Sequence, residues 1–413
     1  MRIASPRFVS QILDFYDQFL LCFDLSAKCT IFRVTKHNYF TNMELTQEAY
    51  GTWSGGRFMH YGEMLTEERF IDSLRLAYDS GFRTFVTADV YGNGRADDLL
   101  GKALEGVDRS TYCLVGMIGH DFYEGQRKGN TGYPRLTDPE LRKADGYASY
   151  LKMACEKSLE RCKSSYFDLV MLHNPDEIGY TSDAVWDGMR ALKDEGLSLK
   201  LGTAPGPANG FTLDTIHNIE TYKDLIDWTM VILNPLEPWP VGLALNAYEK
   251  HGVKVLTRVV DYGGVFTDEF KDDHEFKPGD HRTYRPAGWV KHGIEKMEKM
   301  RPIAEKYGLT MLQFAAIWNL SQPAVKSVVP TFLQENGEDK RPIEDKIREF
   351  VPLPDVRLTP EEVDQVRAIG DNTGCMMLKG ASKRHSVSER ADEWPMREEL
   401  LEIGARYGIG QDW

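Results

Sequence analysis

The stretch Phe167–His173, which reads Phe-Asp-Leu-Val-Met-Leu-His, decides the fold class. Apolar residues run through it almost without interruption, as is typical of a β-strand that is buried on both faces. A strand with one face in water alternates apolar and polar residues instead. Because parallel sheets covered by helices bury their strands in this way, the stretch predicts an α/β protein with a parallel sheet.

Short apolar strands alternate with amphipathic helices along most of the chain, which is the pattern of repeated βαβ units. One helix is predicted to begin after Thr66, a good N-cap residue, and to end at Gly81. Eight strands are predicted, at residues 49–53, 84–87, 112–117, 167–172, 199–203, 230–233, 253–259 and 325–329. Eight strands favour a closed (β/α)8 TIM barrel over an open sheet, with the functional residues at the carboxyl ends of the strands.

The chain divides into three segments by composition. Residues 1–42 are predicted to be an N-terminal extension that is not part of the barrel, and residues 43–370 to be the barrel itself. Residues 371–413 are predicted to form a C-terminal tail that packs on or near the barrel. The apolar stretch 12–25 resembles a secretory signal, but aspartates interrupt it, which favours an amphipathic helix.

Charge and cysteine usage exclude several function classes. The formal net charge is −13, whereas proteins that bind nucleic-acid backbones are usually basic. We found no run of about 18 apolar residues, so no membrane-spanning helix is predicted. The 6 cysteines form no C-x-x-C pair, which indicates free thiols in a reducing cytoplasm and no structural zinc site.

Four stretches of the chain resemble the aldo-keto reductase family. The strongest are Gly81–Gly92, which reads Gly-Phe-Arg-Thr-Phe-Val-Thr-Ala-Asp-Val-Tyr-Gly, and Phe167–Pro175. Asp280–Arg282 and Leu312–Trp318 are similar to the same family, and the resemblance spans about residues 43–370. It implies a TIM barrel that reduces carbonyl groups with NAD(P)H.

The family's catalytic residues are matched only in part. The resemblance implies a tyrosine proton donor at Tyr91 and its partner histidine at His173, but Val86 and Met117 stand where the family has a buried Asp–Lys pair. Losing one partner of a buried ion pair costs about 3–5 kcal/mol, whereas replacing both by apolar residues is often neutral. We therefore interpret the double replacement as coherent repacking. Without the lysine, Tyr91 is expected to stay protonated, as a donor and a poor base.

The positions that the resemblance assigns to the cofactor have also changed. NADP(H) is the cofactor that the resemblance implies, and the alternative of no cofactor stays open. The family holds the nicotinamide amide with Ser, Asn and Gln, and Ala204, Pro205 and Leu233 stand at those positions. In the loop after the last strand, Lys340 and Arg341 are the candidates for contact with a cofactor phosphate.

Several other polar residues follow predicted strands and are candidates for substrate binding: His60, Asp89, His120, Asn174, Arg258 and Asp261. His120 could supply a substitute acid or base. Arg258 could bind an anionic or polyol substrate, or pair with Asp261. A metal site built from His60, His120, His173 and Asp261 lacks the spacing of known ligand motifs, so no metal is predicted.

Three functions remain open at this point. The first is NAD(P)H-linked oxidoreduction of a small, sugar-like carbonyl compound. The second is non-redox acid–base chemistry on the same scaffold, as in a lyase, dehydratase or isomerase, with Tyr91 and His173 as the proton-handling pair. The third is a catalytically silent barrel that binds a ligand. In all three the predicted partner is a small molecule, and no oligomeric state is predicted.

Overall fold

The computed structural model describes residues 43–128, 132–206, 212–373 and 398–409. The extension predicted for residues 1–42 lies outside the described residues. None of the helices within the described ranges is long and apolar enough to cross a membrane.

Eight parallel strands form one sheet in which each strand pairs with the next along the chain. A further parallel bridge, between Glu48 and Val328, joins the two ends of the sheet into a ring. The predicted TIM barrel is thereby confirmed. The strands are β1 Ala49–Gly51, β2 Thr84–Ala88, β3 Cys113–Ile118, β4 Leu169–His173, β5 Leu201–Ala204, β6 Ile226–Ile232, β7 Lys254–Arg258 and β8 Val325–Val329.

Twelve helices are present in the described ranges, most of them around the outside of the strands. The first begins after Thr66, whose side chain accepts a hydrogen bond from the Arg69 amide, and ends at Gly81, as predicted. The helices are α1 Glu67–Ser80, α2 Arg95–Ala103, α3 Tyr147–Arg161, α4 Glu177–Thr181, α5 Asp183–Asp194, α6 Thr212–Thr221, α7 Val241–Lys250, α8 Trp289–Lys306, α9 Met311–Leu320, α10 Ile343–Phe350, α11 Pro360–Gly370 and α12 Glu398–Arg406.

Strand β6 begins four residues before its predicted start. Its first half carries Asp227, a polar residue that breaks the apolar pattern. The Asp227 carboxylate accepts a hydrogen bond of 3.0 Å from the Leu201 amide at the start of β5. A polar residue at this position therefore supports the strand pairing, although the sequence pattern made the strand look shorter.

Strand side chains divide between two apolar layers. One layer fills the barrel interior and includes Val86 and Met117, both with 0% exposure. The other lies between the strands and the surrounding helices and includes Phe85 and Leu172. Successive strand residues point to opposite sides of the sheet, which explains this division. Val86 and Met117 therefore share a dry, apolar interior, as expected for a paired replacement.

The described parts of the C-terminal tail contact the barrel at two places. The Asn372 side chain accepts from the Trp239 amide at 3.1 Å and donates to the Trp239 carbonyl at 2.9 Å. Helix α12 packs against α6, with Leu400 and Ile403 buried. The first contact ties the tail to the loop that follows β6.

Candidate active site

A cavity of about 330 Å³ lies at the carboxyl ends of the strands. Aromatic and basic side chains dominate its wall, which is the usual make-up of a small-molecule site with a few polar anchors. The lining residues are Trp53, Met59, Tyr61, Tyr91, Ile232, Glu237, Arg258, Val259, Gly263, His281, Arg282, Arg285, Thr331 and Leu333.

Tyr91 lines this cavity from the turn that follows β2. Its amide donates to the Ala88 carbonyl at 3.0 Å, which fixes the turn. Its ring packs edge-to-face against Trp53 at 6.3 Å and against His173 at 5.8 Å, measured between ring centroids. Burial raises the pKa of Tyr91 to about 12, although the nearby Arg258 opposes that shift. The phenol is therefore a neutral proton donor at physiological pH.

His173 ends β4 and is buried beside Tyr91, but it is not among the residues that line the cavity. Its Nδ1 atom has no hydrogen-bond partner. Burial, together with the charges of His120 and Arg135, holds the pKa of His173 well below its ordinary value. The ring is therefore neutral, and its contact with the site is made through the Tyr91 ring.

His120 and Asn174 form a network next to His173. The His120 ring lies 4.8 Å from the His173 ring, and its Nδ1 lies 3.0 Å from Nη1 of Arg135. Because a guanidinium only donates, Nδ1 accepts, and the proton of the neutral ring lies on Nε2, which is 3.0 Å from the side-chain amide of Asn174. Burial lowers the pKa of His120 to about 3. Neither residue lines the cavity, so their place is to support His173.

Arg258 reaches the cavity from the end of β7. Its Nη2 donates to the Pro205 carbonyl at 3.3 Å, and burial lowers the pKa of the guanidinium. The next residue, Val259, has a φ of 58°, which is rare for a β-branched residue and costs about 1–3 kcal/mol. Strain of this kind is concentrated at functional sites, which supports a role for this corner of the cavity.

Asp261 is not paired with Arg258 as one prediction allowed. Its Oδ1 accepts from the Thr331 amide at 2.7 Å, and its Oδ2 has no hydrogen-bond partner. The carboxyl has 0% exposure, and this burial raises its pKa to about 6. Asp261 therefore holds Thr331, which lines the cavity, and does not line the cavity itself.

Two other predicted substrate contacts also lie away from the cavity wall. Asp89 is fully buried, neither carboxyl oxygen has a hydrogen-bond partner, and burial raises its pKa well above the ordinary value. Strand alternation explains its position, because Val86 and Ala88 occupy the interior-facing places of β2. His60 is exposed, and His281, whose ring lies 5.4 Å from it, lines the cavity in its place.

Several cavity residues were not predicted as site residues, and they include Tyr61, Glu237, Arg282 and Arg285. Arg282 belongs to a stretch that carried the family resemblance, which could have singled it out. The others lie in loops with no recognisable pattern. Only the folding of those loops over the strand ends brings them to the site.

Arg282 is held between two carboxylates in an arrangement that we call the clasp, formed by Asp280, Arg282 and Glu335. Its guanidinium donates to Asp280 at 2.8 and 3.0 Å and to Glu335 at 2.6 and 3.0 Å. All three side chains are almost completely buried. The Gly62 amide also donates to Asp280 at 2.8 Å. The clasp therefore links the loops that follow β1, β7 and β8 across one side of the cavity.

The residues present do not fit a nicotinamide cofactor well. Ala204, Pro205 and Leu233 offer no side-chain hydrogen bond for a carboxamide. Lys340 lies 3.6 Å from Asp339, and Arg341 forms an ion pair with Glu349. Because acidic side chains of the chain itself already contact these cations, a cofactor phosphate would have to compete with them. No group of three or more potential metal ligands occurs among the described residues.

Comparisons with known proteins agree with the fold and with the earlier resemblance. The model of the Aldo/keto reductase family matches residues 49–370. This chain belongs to the aldo/keto reductase family. It is 24% identical to a probable voltage-gated potassium channel subunit beta of Oryza sativa subsp. japonica, over 80% of this chain and 94% of that protein.

Two solved structures share the family fold. A glycerol dehydrogenase from Gluconobacter oxydans has a TM-score of 0.62 and 21% identity, over 80% of this chain and 93% of that one. An aldo/keto reductase from Klebsiella pneumoniae, solved with NADP and acetate, has a TM-score of 0.53 and 17% identity, over 79% and 91% of the two chains. These likenesses support the barrel fold of this family member.

Proposed function

We propose that this family member is an enzyme that protonates the oxygen of a small, sugar-like carbonyl compound in the cavity, without hydride transfer from a nicotinamide. The observation that carries the proposal is the setting of Tyr91. It is a neutral phenol that lines the cavity close enough to Arg258 for their charges to interact. The lysine and aspartate that would tune it for reduction are replaced by Met117 and Val86.

The proposed chemistry is an elimination or isomerisation next to the carbonyl group. Tyr91 gives its proton to the carbonyl oxygen, and Arg258 stabilises the negative charge that develops on the phenol. Glu237, whose carboxylate lines the same cavity, accepts the proton that leaves the adjacent carbon. His173 keeps the Tyr91 ring in place through their edge-to-face contact. No electrons are exchanged with a cofactor, so the reaction balances without one.

NADP(H)-linked reduction is the second candidate, because the chain belongs to a reductase family and a structural neighbour was solved with NADP. Titrating the protein with NADPH, while following its fluorescence, separates the two. The main proposal expects no binding at millimolar cofactor. Micromolar binding with blue-shifted emission would favour reduction instead.

The Tyr91→Phe variant tests the proton donor. We expect it to bind a turned-over sugar-like compound as well as the wild type does, but to lose turnover, because only the phenolic proton is missing. Binding followed by NMR, together with a turnover assay on the same compound, gives both values. An unchanged rate would remove Tyr91 from the mechanism and favour the catalytically silent alternative or a different donor.

We also propose that the protein works in a reducing compartment such as the cytoplasm. Cys113, Cys155 and Cys162 are buried free thiols, which supports this location.

A further inference from the structure

Two phenols and one guanidinium meet at the same part of the cavity wall. Tyr61, Tyr91 and Arg258 all line it. The charge of Arg258 acts on both phenols, and the two phenols act on each other. The three groups therefore lie close together, although they come from the loop after β1, the turn after β2 and the end of β7.

The two phenol hydroxyls are available to a ligand. Within the described part of the chain, neither the Tyr61 nor the Tyr91 hydroxyl makes a hydrogen bond to a protein atom. Neighbouring rings hold both side chains, because Tyr61 packs edge-to-face on His281 at 5.5 Å and Tyr91 packs on Trp53. Fixed donors that face a cavity are suited to bind oxygen atoms of a ligand.

The charges around Arg258 leave room for an anion. Arg282 already contacts two carboxylates in the clasp, and Arg285 lies 3.5 Å from Glu237. Glu237 is the carboxylate whose charge acts on Arg258, and it is shared in this way with Arg285. A guanidinium with two phenols matches the four lone-pair sites of a carboxylate group.

We propose that Tyr61, Tyr91 and Arg258 form a binding site for the carboxylate of a 2-oxo acid or sugar acid. This inference rests on the proposed function, because it requires the substrate carbonyl to lie next to the bound carboxylate and within reach of Tyr91. Tyr61 and Arg258 hold the carboxylate, and Tyr91 spans the carboxylate and the neighbouring carbonyl oxygen. Tyr61 thus becomes a specificity residue for acidic substrates.

Binding of pyruvate and of pyruvamide, its neutral isostere, measured by ligand-observed NMR, tests the site without any turnover. We expect the wild type to bind pyruvate about tenfold more tightly than pyruvamide, a difference of about 1.4 kcal/mol. Tyr61→Phe and Arg258→Gln should each remove most of this preference. Tyr61→Phe deletes a single oxygen atom, so its folding should be preserved.

The matched control is Arg301→Gln, which removes an arginine that pairs with Asp268 and Glu298 away from this cavity. It should keep the preference for pyruvate. The inference is overturned if the wild type does not bind pyruvate, if it binds pyruvamide equally well, or if both site variants keep the preference. Because none of these results depends on turnover, they are distinct from failure of the Tyr91→Phe test.

Discussion

At the scale of single residues, the interior of the barrel explains how the site changed. Val86 and Met117 are both fully buried in the apolar interior layer, where the family has an ion pair. A lone charge there would be costly, whereas two apolar residues pack without penalty. Tyr91 consequently has no cation behind it that favours a phenolate, and its raised pKa agrees with that setting.

Restoring the pair one member at a time tests this explanation. Val86→Asp alone should destabilise the protein by about 3–5 kcal/mol, because it buries an unpaired carboxyl. Val86→Asp combined with Met117→Lys should recover part of that loss, which urea unfolding can measure. The double variant should still not reduce carbonyls with NADPH, since Ala204, Pro205 and Leu233 are unchanged. Robust reductase activity in the double variant would contradict this account.

Asp261 predicts a pH dependence of stability. Burial raises the pKa of Asp261 to about 6, above the ordinary value of about 4, so the folded state binds the extra proton between these pH values. Its contribution to stability is therefore present below about pH 4 and lost as the pH rises through about 6. Asp261→Asn still accepts from the Thr331 amide and should flatten this slope by about 3 kcal/mol. Urea unfolding between these pH values would contradict us if both proteins showed equal slopes.

At the scale of elements, the loop after β6 and the C-terminal helix are tied to the barrel by specific contacts. The Asn234 side chain donates to Glu237 at 2.8 Å and to the Val259 carbonyl at 3.1 Å, so the loop after β6 is held to the end of β7. Helix α12 covers α6 through a buried apolar stripe. These elements position Glu237 and shield α6, although neither belongs to the eight βα units.

The packing of α12 can be measured by a pair of substitutions. Ile403→Ala should destabilise the protein by about 2–5 kcal/mol, because Ile403 is 1% exposed against the barrel. Leu401→Ala, on the exposed face at 37% exposure, should change stability by less than about 0.5 kcal/mol. Urea unfolding and hydrogen exchange of α6 give the two values. Equal effects would show that α12 does not depend on this stripe.

At the scale of the whole molecule, the clasp connects loops that are distant in sequence. Asp280 and Arg282 lie on the segment after β7, Glu335 follows β8, and Gly62 follows β1. Backbone hydrogen bonds from Gly55 to Phe332 and from Glu63 to Gln334, both 2.8 Å, strengthen the same closure. The result is a cavity whose wall is shared by the first and the last βα units.

Removing the clasp arginine should therefore affect the whole barrel. Arg282→Ala leaves two buried carboxylates unpaired and should cost about 3–5 kcal/mol in free energy of unfolding. Arg301→Ala, which breaks partly exposed pairs, should cost less than about 1 kcal/mol. Urea unfolding of both variants decides the matter, and similar losses would show that the clasp does not stabilise the closure.

By itself the sequence determined the barrel, the family and the position of Tyr91. Apolar runs, helix caps and strand ends are local signals, and eight of them in series have few other solutions. It also identified Val86 and Met117 as replacements, because both stand at recognisable positions in short motifs.

Only the tertiary structure decided which polar residues meet at the cavity. Asp89, Asp261 and His120 follow strands, as Arg258 does, yet they lie behind the wall, because side chains alternate between the two sides of a strand and loops turn away from its end. Tyr61 and Glu237 reach the cavity from irregular loops, whose paths depend on long-range contacts such as the clasp. Those contacts join residues more than 200 positions apart, as between Gly62 and Asp280, and no local pattern encodes them.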